Sequence, residues 1–255
     1  MNADARYCLE AVRAGARDRF LACLFAPDGK RSALLALHAF DIEIARIARE
    51  VSEPRLGEIR LQWWRETVTA IAEGEDVAHP VARELARAIA IGQLPVKPLL
   101  DLIEARAFDL YADPMPDMAT LEAYLGETRA APIQMAALIL AGPAASAAAE
   151  AAGLAGVAEG MAHILHDLPR TRALGQAFLP PAVEPRAAAL HGLCRLAEAR
   201  GQLAAIPLAA LPAFLPAGLA GLHLERVAAD GEKAGPPSQF RRQIWLWWTA
   251  RRNRF

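Results

Sequence analysis

The sequence predicts an all-α chain. Helix-forming residues dominate it from end to end, and clusters of β-branched residues with a period of two are absent. Apolar positions recur at helical spacing between breaks marked by proline and glycine. With 255 residues, 54% of them hydrophobic, the chain can bury a sizeable core and does not read as disordered. There is no repeat period and no linker long enough to divide it. One domain over residues 1–255 is expected, with roughly eight to ten helices at ordinary helix lengths.

The breaks follow in order. "APDGKR" (26–31) is a turn, and the helix "HAFDIEIARIARE" after it stops before "SEP" (52–54). In that helix Phe40, Ile44, Ile47 and Val51 fall at i, i+4, i+7 and i+11, which makes a core stripe. Glu43 and Arg46 stand at i, i+3 and can pair on the surface. "AHPVAREL" starts a helix near Pro80, since proline is tolerated in a first turn. A helix is expected from about Lys97 to Tyr111, then a loop with Pro114 and Pro116, then a helix capped near Thr120.

The apolar run "AAPIQMAALILAGPAASAAAEAAGLAGVAEGMAHIL" is long enough to tempt a membrane-spanning reading. Gly142-Pro143 breaks it, and its alanines and glycines drive insertion weakly. Two buried, closely packed helices are expected instead. A further helix follows Pro185, and a linker precedes a last basic helix at about residues 238–255.

A net charge of -1 gives no global field toward nucleic acid. Cys8, Cys23 and Cys194 are odd in number, far apart and without CxxC spacing, which points to neither a zinc site nor a disulfide framework. A reducing compartment fits. "MNADARYCLEAVRAG" has no apolar core of a secretory signal, so a cytoplasmic location is expected, with peripheral contact at the inner membrane face as an option.

Local groupings offer candidate chemistry. His163, His166 and Asp167 form H-x-x-H-D. His163 and Asp167, at i, i+4, could share an ion, and the imidazoles would favour zinc or another transition metal. The plainer reading is a pair of histidines hydrogen-bonded in a polar cavity, because no third ligand can be named. Asp41 and Glu43, at i, i+2, point roughly 200° apart and cannot chelate one ion together. Trp63 and Trp64 are adjacent and face different ways. One fills the core; the other, with Gln62 and Arg65, lines a cavity or partner surface. In "QFRRQIWLWWTARRNRF", Arg241, Arg242, Arg251 and Arg252 stand among Trp245, Trp247 and Trp248. Such a helix suits an anionic membrane surface, each arginine adding about 1 kcal/mol. Packing of the same tryptophans on the bundle is the equal alternative.

The order of these motifs resembles the squalene/phytoene synthase family. In that family a "P-x-x-x-R" turn precedes a helix like YAFCRxxDDxxDE and a later Trp-Arg pair, which Trp64-Arg65 matches. "LIEARAFDL" (102–110) resembles the third core helix, with Asp109 at its usual acid. "LEAYLGETRAAPIQMAALIL" is similar to YCYxVAGxVG, and "HILHDLPRTRALGQAFLP" (163–180) aligns without a gap on NILRDVxEDxxxGRxYLP. The resemblance implies an all-α isoprenoid (terpenoid) synthase-like helical bundle. It also implies enzymes that join two prenyl diphosphates head to head. Magnesium ions, held by carboxylates at i, i+4 on two facing helices, would neutralise the leaving diphosphate.

The chain departs from that pattern. The first motif's acids fall on Ala45, Arg46 and Arg49, and its arginine falls on Ile42. In the second motif the asparagine falls on His163 and the "ED" pair on Arg170 and Thr171, leaving Asp167 as the retained acid. One carboxylate holds magnesium weakly, so Mg2+ is expected only if activity survives, with Asp167 as the catalytic candidate. Candidates to line the cavity or hold diphosphate are Asp41, Glu43, Arg46, Arg49, Gln62, Trp64, Arg65, Asp109 and Arg170, since guanidinium suits phosphate geometry. A branch of the family that includes an assembly factor of mitochondrial respiratory complex I resembles the chain better. Its "AF-N-x-E-[IL]-A", "V-S-E" and "R-x-Q-[FW]-W" patterns match "AFDIEIA" (39–45) and "VSEPRLGEIRLQWW" (51–64). That branch implies a pseudoenzyme acting by protein contact near a membrane. The alternative is a prenyltransferase, or a binder of prenyl diphosphate or lipid.

Overall fold

Each break read from the sequence is a helix boundary in the computed structural model, which describes residues 2–111, 113–235 and 237–255. Helix α1 (Ala3–Gly15) is capped by Asn2, whose side chain accepts the Ala5 N–H. Then come α2 (Arg17–Cys23) and the long α3 (Asp28–Glu50). Helices α4 (Pro54–Glu73) and α5 (Pro80–Gly92) both open on proline, where no intrahelical N–H is missed. Helix α4 closes on Gly74, whose φ of 80° suits a residue without Cβ.

The helix expected from Lys97 to Tyr111 divides. Helix α6 (Lys97–Ala105) tightens into a 3-10 segment at Arg106–Leu110. Helix α7 (Met118–Leu125) begins earlier than expected, because Asp117 is the cap and accepts the Thr120 N–H at 2.8 Å. A π-helical turn (Gly126–Ala130) leads into α8 (Ala131–Ala141), and a 3-10 segment (Gly142–Ala148) into α9 (Ala149–Ala173). Helices α10 (Pro185–Gly201), α11 (Leu211–Asp230) and α12 (Gln239–Arg251) complete the chain. Pro236 of the expected linker lies outside the described residues. Among the described residues there are twelve α-helices and no strand, more helices than the eight to ten expected. The excess comes from pieces such as α2 and α7, of 7 and 8 residues, too short to leave a periodic signature.

Helix α3 packs against α1, α5 and α8, while α9, α10 and α11 pack on one another; α8 touches α3, α9 and α11. The α3 stripe is buried as its spacing requires, with Phe40, Ile44 and Ile47 almost wholly enclosed. The apolar run breaks at Gly142, where φ is 60°, and its two arms are largely buried helices. Gly156 is what lets them meet: a Cβ there would collide with the Ala130 backbone.

Charge is also buried. Arg19 of α2 is 6% exposed and pairs with Asp41 of α3. Its Nε and Nη2 donate to Oε1 of Glu159 on α9 at 3.1 and 2.9 Å. Arg106 approaches the other Asp41 oxygen at 3.6 Å. One set of charges thus ties α2, α3, α9 and the 3-10 segment. Burial pushes the Asp41 carboxyl up, but Arg19, Arg106 and Arg129 outweigh it and hold the pKa at about 2. His38, one turn earlier, is held down at about 3 by burial and by Arg19, with Asp41 opposing.

Three outcomes are expected. Gly156→Leu forces α9 off the Ala130 backbone and costs about 3 kcal/mol in urea unfolding. Arg19→Met strands Asp41 and Glu159 and costs roughly 3–5 kcal/mol by the same measurement. His38 titrates at its ordinary value of 6.5 when unfolded and at about 3 when folded. The unfolded chain therefore binds the extra proton as pH falls between these values, and stability drops by up to about 1.4 kcal/mol per pH unit. His38→Gln should flatten the dependence of the urea midpoint on pH between about pH 6 and pH 4 by that one proton.

Candidate functional site

Two faces with small residues create a cavity of about 440 Å³. On α3, Ala45, Ala48 and Arg49 share one side at i, i+3 and i+4; on α9, Gly160, His163, Asp167 and Arg170 do the same. The 3-10 segment adds Arg106 and Asp109, and the π turn adds Arg129. Leu110, Leu125, Leu174 and Phe178 give the cavity an apolar part. Phe108, Tyr124 and Phe178 brace one another there, with ring centroids 5.9 to 6.2 Å apart.

Asp109 and Asp167, the two carboxylates of this wall carried by the 3-10 segment and α9, accept from protein donors. Asp109 accepts from Arg106 Nη1 at 3.1 Å and from the Tyr124 hydroxyl at 2.6 Å. Burial and Asp109 push the Tyr124 hydroxyl above its ordinary range, although Arg106 opposes them. Asp167 Oδ2 accepts from Arg49 at 2.8 Å and Arg170 at 3.2 Å, with His163 Nε2 at 3.8 Å. The Arg49–Asp167 pair therefore joins α3 to α9, the two helices that carry the acid motifs in the family resemblance. His163 is kept neutral at pH 7, because Arg129, burial and Arg106 drive its pKa well below 6.5.

Arg129 differs from its neighbours. It lines the cavity, and among the described residues it has no hydrogen bond or ion pair. Burial, Arg106 and Arg19 destabilise its charge and hold its pKa below the ordinary value, with Asp41 and Glu159 offsetting only part of that. Arg106 Nε and Nη2 are also buried without a hydrogen-bond partner. The wall thus presents guanidinium donors around Asp109 and Asp167, with the exposed Glu53 at its edge.

The magnesium implied by the resemblance does not fit this donor set. Magnesium needs oxygen ligands in octahedral array, and both Asp109 oxygens and Asp167 Oδ2 are already taken by cationic or hydroxyl donors. Among the described residues no group of three His, Cys, Asp or Glu side chains is placed to hold an ion.

Arg49, Asp109, His163, Asp167 and Arg170 stand on the cavity wall. The other candidates do not. Asp41 lies in the buried network, turned to Arg19 and Arg106. Glu43 is buried rather than on the surface; it accepts from the Tyr7 hydroxyl at 3.4 Å and pairs at 2.8 Å with Arg46, which also reaches Glu50. Glu43 and Arg46 leave the cavity because α3 carries them on a different face from Ala45 and Arg49, whereas Asp41 shares that face one turn earlier and is taken up by Arg19 and Arg106. Gln62 and Arg65 line a shallow outer groove of α4, where Gln62 donates to Glu66 and Arg65 pairs with Glu104. Trp64 is the core tryptophan, edge-on to Phe40 at 5.5 Å, and Trp63 is exposed.

His166 is exposed and meets His223 edge-on at 5.7 Å, so H-x-x-H-D does not close around one ion. On α12, Arg241, Trp248, Arg251 and Arg252 are exposed as expected of surface candidates. Trp245 instead packs on Gly218, and Arg242 pairs with Asp18, because both lie on the helix face toward the bundle. Sequence reasoning missed Arg19, Arg106, Arg129, Tyr124 and Glu159. The available signal, for Glu159, was a lone charge inside an apolar helix, as in "GVAEGMAHIL".

Comparison with known proteins agrees with this architecture. The chain is similar to the protein named NADH dehydrogenase (ubiquinone) complex I, assembly factor 6 of Bos taurus, 33% identical over 69% of this chain and 52% of that one. The Homo sapiens protein of the same name is 31% identical over 68% of this chain and 52% of its own length. The chain thus spans about half the length of these curated relatives. Its fold is that of a squalene synthase from Alicyclobacillus acidocaldarius, with a TM-score of 0.76 at 20% identity, covering 92% of this chain and 95% of that one. A dehydrosqualene synthase crystallised with a ligand gives a TM-score of 0.81 at 17% identity over 96% and 94%. The sequence profile described as squalene/phytoene synthase matches residues 12–191, and the chain belongs to that family.

Proposed function

We propose that this protein is a non-catalytic member of its family that works as a binding protein in the assembly of respiratory complex I. The observation that carries the proposal is the use of the cavity acids. Asp109 and Asp167, which would have to gather magnesium around a leaving diphosphate, instead hold Arg106, Arg49 and Arg170. The relatives named as complex I assembly factors support the choice of partner. The free, unpaired cysteines are in keeping with a cytoplasmic site of action. A position at the inner membrane face belongs to the same reading.

Deleting the gene should lower the amount of assembled complex I seen on native gels, and restoring the gene should return it. A normal amount in the deletion strain overturns the assembly role. Incubation with farnesyl or geranylgeranyl diphosphate and magnesium should release no diphosphate. Release that Asp167→Ala abolishes would restore a prenyltransferase reading.

A second reading is favoured by Arg129 and by the Arg106 Nε, which makes no hydrogen bond: the cavity holds a prenyl diphosphate or anionic lipid without turning it over. Calorimetric titration with geranylgeranyl diphosphate in the absence of magnesium should then give a binding isotherm. Arg129→Met should weaken it by about tenfold or more.

A further inference from the structure

Helix α12 has two apolar faces, and the bundle uses one of them. Leu246 and Thr249 are buried and Trp245 packs on Gly218, while the Arg242–Asp18 pair fixes the roll of the helix against the bundle. The opposite face carries Phe240, Ile244, Trp247 and Trp248, spaced at i, i+4, i+7 and i+8 along one stripe. All four are exposed, and Phe240, at 73%, is the most exposed large hydrophobic side chain among the described residues. Apolar side chains scattered singly need no explanation, but four on one helix face do.

The charge around the stripe has one sign. Residues 239–255 contain five arginines and no aspartate or glutamate, while the whole chain stands at -1, so everything outside this segment sums to -6. Among the described residues Arg241, Arg251, Arg252 and Arg254 form no ion pair. Two of them lie over the exposed indoles: Arg251 is 5.1 Å from the Trp247 ring centroid and Arg252 is 3.4 Å from that of Trp248. Guanidinium and indole are thus held at one level, which is the arrangement a headgroup layer rewards, with phosphate for one and the acyl boundary for the other.

A second copy of the chain is a poor occupant, because a two-fold contact would set these arginines against their own equivalents. We infer that the outer face of α12, with Phe240, Ile244, Trp247 and Trp248 ringed by Arg241, Arg251 and Arg252, is a docking surface for an anionic lipid bilayer. The negative remainder of the molecule is repelled by the same surface, so the protein lies on it with α12 down.

The test is co-sedimentation of the full chain with vesicles of phosphatidylcholine alone and of phosphatidylcholine doped with phosphatidylglycerol. The chain should pellet with the anionic vesicles, with a blue-shifted tryptophan emission, and less so as salt is raised. The paired substitutions Trp247→Ala with Trp248→Ala, and Arg251→Glu with Arg252→Glu, should each lower partitioning at least about tenfold while leaving the circular dichroism unchanged. Failure to pellet, equal pelleting with both vesicles, or pelleting that both pairs leave intact overturns the assignment. So does light scattering that shows self-association relieved by Trp247→Ala with Trp248→Ala. The readout contains no respiratory protein, so it stands or falls separately from the assembly role.

Discussion

A charge withdrawn from water must be neutralised at close range, and the interior of this bundle is organised by that requirement. Arg19 cannot stay buried without Asp41 and Glu159, and Asp41 in turn draws in Arg106. Those four residues come from α2, α3, α9 and the 3-10 segment after α6. Their pairing sets how the two motif helices stand to each other before any ligand is considered. Above this layer the Arg49–Asp167 contact repeats the arrangement at the cavity mouth, in a more exposed setting where it is worth little on its own.

The same constraint accounts for the chemistry of the cavity. A family site built on magnesium needs carboxylates whose oxygens are available to the ion. Here Asp109 pairs with Arg106, and Asp167 with Arg49 and Arg170. Arg129 has neighbours of both signs but, among the described residues, no close partner, and Arg106 Nε makes no hydrogen bond. Among the described residues no group of three His, Cys, Asp or Glu side chains is placed to hold an ion, which is the ground for the binding role proposed above.

How much of this was legible in the sequence depends on the range of the interaction. The α3 stripe, the proline starts of α4 and α5 and the break at Gly142 are consequences of neighbours within a few residues, and spacing alone reveals them. Motif order carried the family and its fold. The cap at Asp117 and the division of the helix after Ala105 were misplaced, because each turns on one hydrogen bond or one turn of tightened backbone. Asp41 and Glu43 drew notice as acids on a helix, yet their partners, Arg19 and Tyr7, lie 22 and 36 residues away and could not be named from spacing.

The sequence by itself determined an all-helical chain, Ala45, Arg46 and Arg49 on the helix after the first turn, and a last helix rich in arginine and tryptophan. Local composition and order suffice for those. Only the tertiary structure decided which charges are buried together, that Arg129 faces the cavity, and that Trp245 turns inward while Trp247 and Trp248 turn out. The physical reason is that helix periodicity tells which residues share a face, but the environment of that face is set by helices distant in sequence, through packing and charge neutralisation.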